Sequence, residues 1–128
     1  MTLLLDTHAF LWFISEDARL SVRAREAIAH PDHDAFCSDV VAWEIAIKSS
    51  LGRLQVPAPL DAWYRAQLES NRLERLPISL EAITGVRTLA WHHRDPFDRL
   101  LAATALVEDL VLVSRDEAFD AYGVRRVW

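Results

Sequence analysis

Short apolar runs that end on an acid narrow the folds open to this chain more than any other feature. TLLLD (2–6), DAFCSD (34–39) and LVLVSRD (110–116) share that shape. Continuous apolar runs of this length suit strands buried on both faces, as in a parallel sheet. Helical periodicity lies between them, over Ser21 to His30, Asp39 to Leu51, Leu60 to Asn71, Ser79 to Leu89 and Phe97 to Asp109, with a further helix starting near Thr7. Gly52 is placed to end the Asp39 helix in a left-handed conformation. LERLPI (73–78) and VRRVW (124–128) predict further strands. The last belongs at an edge, because it alternates and carries Arg125 and Arg126. Strands and helices that alternate in this way predict one α/β domain, a three-layer α/β/α sandwich around a mostly parallel sheet with right-handed crossovers.

Composition removes several functional classes. The chain has three glycines, all far apart, so neither a phosphate-cradling loop nor a dinucleotide fingerprint is available. Its one cysteine, Cys37, can form neither an internal disulfide nor a structural zinc site and reads as a small buried apolar residue. No apolar run approaches the ~20 residues of a membrane helix. MTLLLD has no basic leader, so a cytoplasmic protein without a membrane partner is expected. The net charge of −5 argues against a broad basic surface for nucleic acid, but not against a site where carboxylates hold a cation.

Ligands of open parallel sheets sit beyond the carboxyl ends of the strands, which directs attention to the acids there. Asp6 follows the first strand directly; an N-cap is its structural alternative, and the strand-end position favours a functional role. Thr7 is open between capping and holding a water. Glu44 lies among Val40, Val41, Ile47 and Lys48 on its helix. It therefore either pairs with Lys48 one turn on or points into a shared polar site, and its apolar surroundings favour the second. Asp116 follows LVLVSR, and capping by Asp116 or Ser114 competes evenly with a site role. In HHRDPFDRLLAATA (92–105) the proline separates two aspartates. Asp95 becomes the N-cap and Pro96 the first helical residue. Asp98 then shares a face with Leu101, Ala102 and Ala105, the side that packs on the sheet.

Four carboxylates drawn together repel one another unless a hard divalent cation joins them. Mg²⁺ or Mn²⁺ prefers oxygen ligands, keeps several waters and pairs with phosphates, which is the basis of metal-assisted phosphodiester cleavage. His92 and His93 lack a cysteine or an i, i+4 histidine partner, so they read as loop residues facing solvent or phosphate, not as metal ligands. Arg94, Arg99, Arg115 and Lys48 are candidate phosphate contacts, with ordinary surface charge as the plainer reading of each. Trp12, Trp43 and Trp91 read as core or interface anchors.

Taken in order, DTHAFLW (6–12), SDVVAWEIAIKSSLGRL (38–54), HHRDPFDRLLAATA (92–105) and LVSRDEAF (112–119) resemble the PIN domain, specifically the VapC-like toxins of type II toxin–antitoxin pairs. The resemblance implies a Mg²⁺-dependent endoribonuclease of α/β/α architecture, often a homodimer, acting on RNA and held inactive by a cognate antitoxin. It assigns the family's four acids to Asp6, Glu44, Asp98 and Asp116, with Ser114 at the accompanying hydroxyl position. Asp95 is an alternative register for Asp98. Two other readings stand beside this one: a catalytically inert interaction module, and a phosphatase-like or phosphoacceptor domain using Asp6. Against the last, DTH lacks the second nearby acid such sites use.

Overall fold

In the computed structural model, which describes residues 1–128, Leu3, Leu4 and Leu5 are all fully buried. Successive side chains on a strand point to opposite faces, so this short run requires cover on both sides. It forms β1 (Thr2–Leu5), the centre of a five-stranded sheet with β2 (Asp34–Ser38), β3 (Glu74–Leu76), β4 (Val111–Val113) and β5 (Arg126–Val127). The order is β3-β2-β1-β4-β5 and every pairing is parallel. Leu4 aligns with Phe36 on one side and Leu112 on the other.

The helices are α1 (Thr7–Ile14), α2 (Val22–Ala29), α3 (Asp39–Ser50), α4 (Leu60–Ser70), α5 (Leu80–Gly85) and α6 (Pro96–Val107), with 3-10 turns at Val86–Thr88 and Glu117–Tyr122. On one face Leu3, Leu5, Cys37 and Val113 pack against Phe10 of α1, Ile28 of α2 and Leu68 of α4. On the other, Leu4 and Leu112 meet Ala82 of α5 and Leu101, Ala102 and Ala105 of α6. Helix α3 serves both layers, giving Val41 and Ile45 to the first and Val40 to the second. This is the three-layer α/β/α sandwich that the alternation of elements predicts.

Side-chain caps fix several helix starts. Ser21, Ser38 and Ser79 accept from the backbone N–H of Ala24, Val40 and Ala82. Gly52 takes the left-handed conformation expected of it, with φ of 72°. Three strands are shorter than their apolar runs: β3 keeps residues 74–76 of the expected 73–78, β4 111–113 and β5 126–127. Periodicity continues past the last laddered residue, whereas pairing ends where the neighbouring strand ends. The helix expected over Ser79 to Leu89 stops at Gly85 and tightens into the 3-10 turn, because the carbonyls of Val86 and Leu89 turn toward the Arg99 guanidinium. No helix is long and apolar enough to cross a membrane.

Candidate metal centre

Strand order reverses around β1, with β2 on one side and β4 on the other, and a crevice opens at the carboxyl ends where such a reversal occurs. Asp6 stands there. Its N–H donates to the Val113 carbonyl at 3.1 Å, and its Oδ1 accepts from the Ala9 N–H at 2.8 Å, capping α1. A carboxylate has two oxygens, so the cap does not consume the residue. Burial pushes the Asp6 carboxyl above its ordinary range and the charge of Glu44 adds to the rise; the Ser114 hydroxyl, the Ala9 N–H and His8 oppose it.

Glu44 reaches the crevice from α3 and is buried. The Thr7 hydroxyl donates to Oε1 at 2.6 Å, and Lys48 Nζ pairs with Oε2. Both sequence readings of Glu44 therefore hold together: it pairs with Lys48 and also faces the shared site. Thr7, left open by the sequence, orients that carboxylate.

Asp98 enters from the first turn of α6. Its carboxyl is pushed up to about 7, first by burial and then by the charges of Asp95, Glu44, Asp6 and Asp116. Asp95 caps the helix as Pro96 dictates, its Oδ1 accepting from Phe97 N–H at 2.8 Å and Asp98 N–H at 3.2 Å. Asp116 is the most open of the four and caps the second 3-10 turn through the Ala118 N–H at 2.9 Å. Ser114 is fully buried, and its Oγ accepts from the Asp116 N–H at 3.1 Å, tying the end of β4 to that acid. The structure thus brings Asp6, Glu44, Asp98 and Asp116 to a single cleft of about 170 Å³, with Asp95 on its wall. Thr7, His8 and Lys48 complete the polar lining.

Several side chains depart from their sequence readings. Arg99, a candidate phosphate contact or surface charge, is neither: it is 3% exposed and donates to the carbonyls of Val86, Leu89, Ala90 and His93. Trp91, read as a core or interface anchor, is largely exposed and so not a core residue, and the Arg99 guanidinium lies 3.7 Å from its ring centroid. Trp43 is half-exposed with its ring edge-to-face with Phe97, whereas Trp12 packs against the core. Arg94 and Arg115 are exposed.

His93 departs furthest. Instead of facing solvent, its side chain is 11% exposed and turned between two acids, Nε2 lying 3.4 Å from Asp116 Oδ2 and Nδ1 3.8 Å from Asp98 Oδ2. No local pattern announces this. The residue that anchors it, Tyr122, lies 29 positions along the chain and accepts the His93 backbone N–H at 2.8 Å.

A parallel α/β/α sandwich with acids gathered at the switch point defines a class, and the chain belongs to it: it is a member of the PIN-domain family, whose model matches residues 3–124. It is similar to ribonuclease VapC22 of Mycobacterium tuberculosis, with 34% identity over 116 residues, covering 90% of this chain and 87% of that protein. Among solved structures it resembles VapBC2 from Rickettsia felis bound to a DNA fragment from their promoter, with a TM-score of 0.73 and 16% identity over 99% of this chain and 98% of that one. A toxin–antitoxin complex from Klebsiella pneumoniae gives 0.64 and 16%, covering 98% and 95% of the two chains. At these identities the structural likeness is one of fold.

Proposed function

We propose that this chain is a Mg²⁺-dependent endoribonuclease, Mn²⁺ serving in its place, and the toxin of a type II toxin–antitoxin pair. In this reading it cleaves RNA phosphodiester bonds in the cytoplasm, as a homodimer, until a cognate antitoxin binds it. One observation carries the catalytic part: acids from four separate segments line one cleft, and Asp98 there holds its proton up to about 7. Such a site gathers more negative charge than it can keep without a cation. The similarity to a ribonuclease supports RNA as substrate, and the likeness to toxin–antitoxin complexes supports an antitoxin partner.

The donor set fits a hard divalent ion, being mainly carboxylate oxygen with room left for water. Such an ion supplies charge neutralisation at the phosphate and a bound water of lowered pKa. Asp6 and Asp98 are its principal holders in this reading, while Glu44 and Asp116 complete the set and orient water. Thr7 fixes the angle of the Glu44 carboxylate through its 2.6 Å hydrogen bond. Lys48, part-exposed beside Glu44, offers a positive charge to a phosphate at the cleft edge. The purified protein should cleave RNA with Mg²⁺ and lose that activity in EDTA. Undiminished cleavage in EDTA, or full activity in Asp6→Asn, would refute the proposal.

A stability measurement tests the same cleft without substrate. The folded Asp98 carboxyl titrates near 7 against an ordinary 3.8, so the folded state binds the extra proton between those values. Its contribution is therefore favourable at low pH and is lost as pH rises through about 4 to 7, the sign set by proton linkage. Without metal, Asp98→Asn should flatten this fall and gain about 1 to 2 kcal/mol near neutral pH, after allowance for screening. Chemical denaturation of the two proteins across pH reads the effect; parallel curves would contradict it.

A further inference from the structure

The proposed ion is held by acids, yet two of those acids stand beside an unpartnered nitrogen. His93 Nε2 is buried without a hydrogen-bond partner. Leaving a buried polar atom unpaired is costly, so such an atom beside two carboxylates calls for a ligand. It lies 3.4 Å from Asp116 Oδ2, and the other ring nitrogen is 3.8 Å from Asp98 Oδ2. One ligand atom from each of His93, Asp98 and Asp116 falls within 4.8 Å of the others. An octahedral ion with bonds of about 2.1 Å spaces its ligands roughly 3 to 4.3 Å apart, so the three are nearly gathered.

The ring is also held in place. Tyr122 accepts the His93 N–H, the Tyr122 ring lies 17° from parallel to the imidazole, and Phe119 packs on it at 4.9 Å. Arg99 holds the His93 carbonyl from the other side. A solvent-facing loop histidine has no use for these constraints, whereas a ligand must be positioned in advance.

We propose that His93 is a nitrogen ligand of the metal centre, coordinating through Nε2 an ion shared with Asp98 and Asp116, and that it biases the site toward Mn²⁺ over Mg²⁺. The proposal rests on reading the acidic cleft as a metal centre. Imidazole binds transition ions well, while Mg²⁺ prefers oxygen and dehydrates reluctantly. An all-carboxylate site lacks that source of discrimination.

Pulsed EPR of the full-length protein loaded with Mn²⁺ tests this without RNA. The wild type should show nitrogen coupling from a coordinated imidazole, and ¹⁵N-histidine labelling should change it. His93→Gln should abolish the coupling and weaken Mn²⁺ about tenfold or more while changing Mg²⁺ affinity by less than about threefold. His8 is the histidine that lines the cleft itself, whereas His93 sits behind Asp98 and Asp116, so His8→Gln is the control and should retain the coupling. Bound Mn²⁺ with no nitrogen coupling in the wild type, or coupling lost in His8→Gln instead, would overturn the assignment to His93 and leave the acidic site standing. Failure of Mn²⁺ to bind at all would overturn the metal-centre reading itself. If His93→Gln folds poorly, the wild-type spectrum together with that of His8→Gln still decides the issue.

Discussion

Asp98→Asn should abolish RNA cleavage, while Asp95→Asn should spare most of it. The two aspartates stand three residues apart and both line the cleft, so proximity does not separate them. Their hydrogen bonds do. Asp95 Oδ1 receives two backbone N–H groups at the start of α6, a task Asn performs about as well as Asp. Asp98 receives none, yet its carboxyl is pushed to about 7 by burial and by four neighbouring acids. In the proposed site Asp98→Asn exchanges an anionic carboxylate ligand for a neutral amide, and cleavage should fall by more than about a hundredfold, beyond the 10- to 100-fold usual for an outer partner of a metal ligand. Asp95→Asn should also lower the pKa of Asp98, since Asp95 is the largest charge raising it. Single-turnover cleavage of a labelled RNA, with melting temperatures as a folding check, distinguishes the two. A greater loss in Asp95→Asn would move the metal ligand to Asp95.

The contrast between these two residues shows what a sequence makes legible. Pro96 restricts its predecessor and starts a helix, so the roles of Asp95 and Asp98 follow from local rules. The sheet is equally readable, because an apolar run such as TLLL buried on both faces leaves few alternatives. Position at a strand end also directs attention to Asp6 and Asp116. What local rules cannot supply is a tertiary partner. Glu44 finds Thr7 at 37 positions' distance, and His93 finds Tyr122 at 29. Capping and site roles read as rivals in one dimension, yet Asp6 and Asp116 each cap with one oxygen and still line the cleft. Arg99 misleads for another reason: arginine is so rarely buried that a surface role is the natural expectation for it.

Arg99 yields the largest expected effect on stability. Its guanidinium has no acidic partner and instead donates to carbonyls of Val86, Leu89 and Ala90 at 2.9 to 3.3 Å, with His93 at 3.5 Å. A planar group with several fixed donors can satisfy such a fan of carbonyls; a lysine ammonium, a point charge with three donors, cannot span it. Trp91 shields the outer face of the cation. In Arg99→Met these part-buried carbonyls lose their shared donor, and only that of Val86 keeps a backbone one, the Leu89 N–H at 3.3 Å, so a loss of roughly 3 to 5 kcal/mol is expected after local relaxation. For a chain of this size that corresponds to a fall in Tm of about 10 to 20 °C. Arg99→Lys should recover less than half of it. Trp91→Ala should cost only about 1 kcal/mol, the scale of an exposed cation–π contact. Because the same loop carries His93, the ligand proposed above, that proposal further requires Arg99→Met to weaken Mn²⁺ binding at temperatures where the protein remains folded. A phosphate-binding role for Arg99 makes the opposite forecast: a raised KM for RNA with Tm and metal affinity unchanged. Melting curves together with Mn²⁺ titration separate the two, and a Tm for Arg99→Met within about 3 °C of wild type, under 1 kcal/mol at this chain length, would remove the structural role assigned to this side chain.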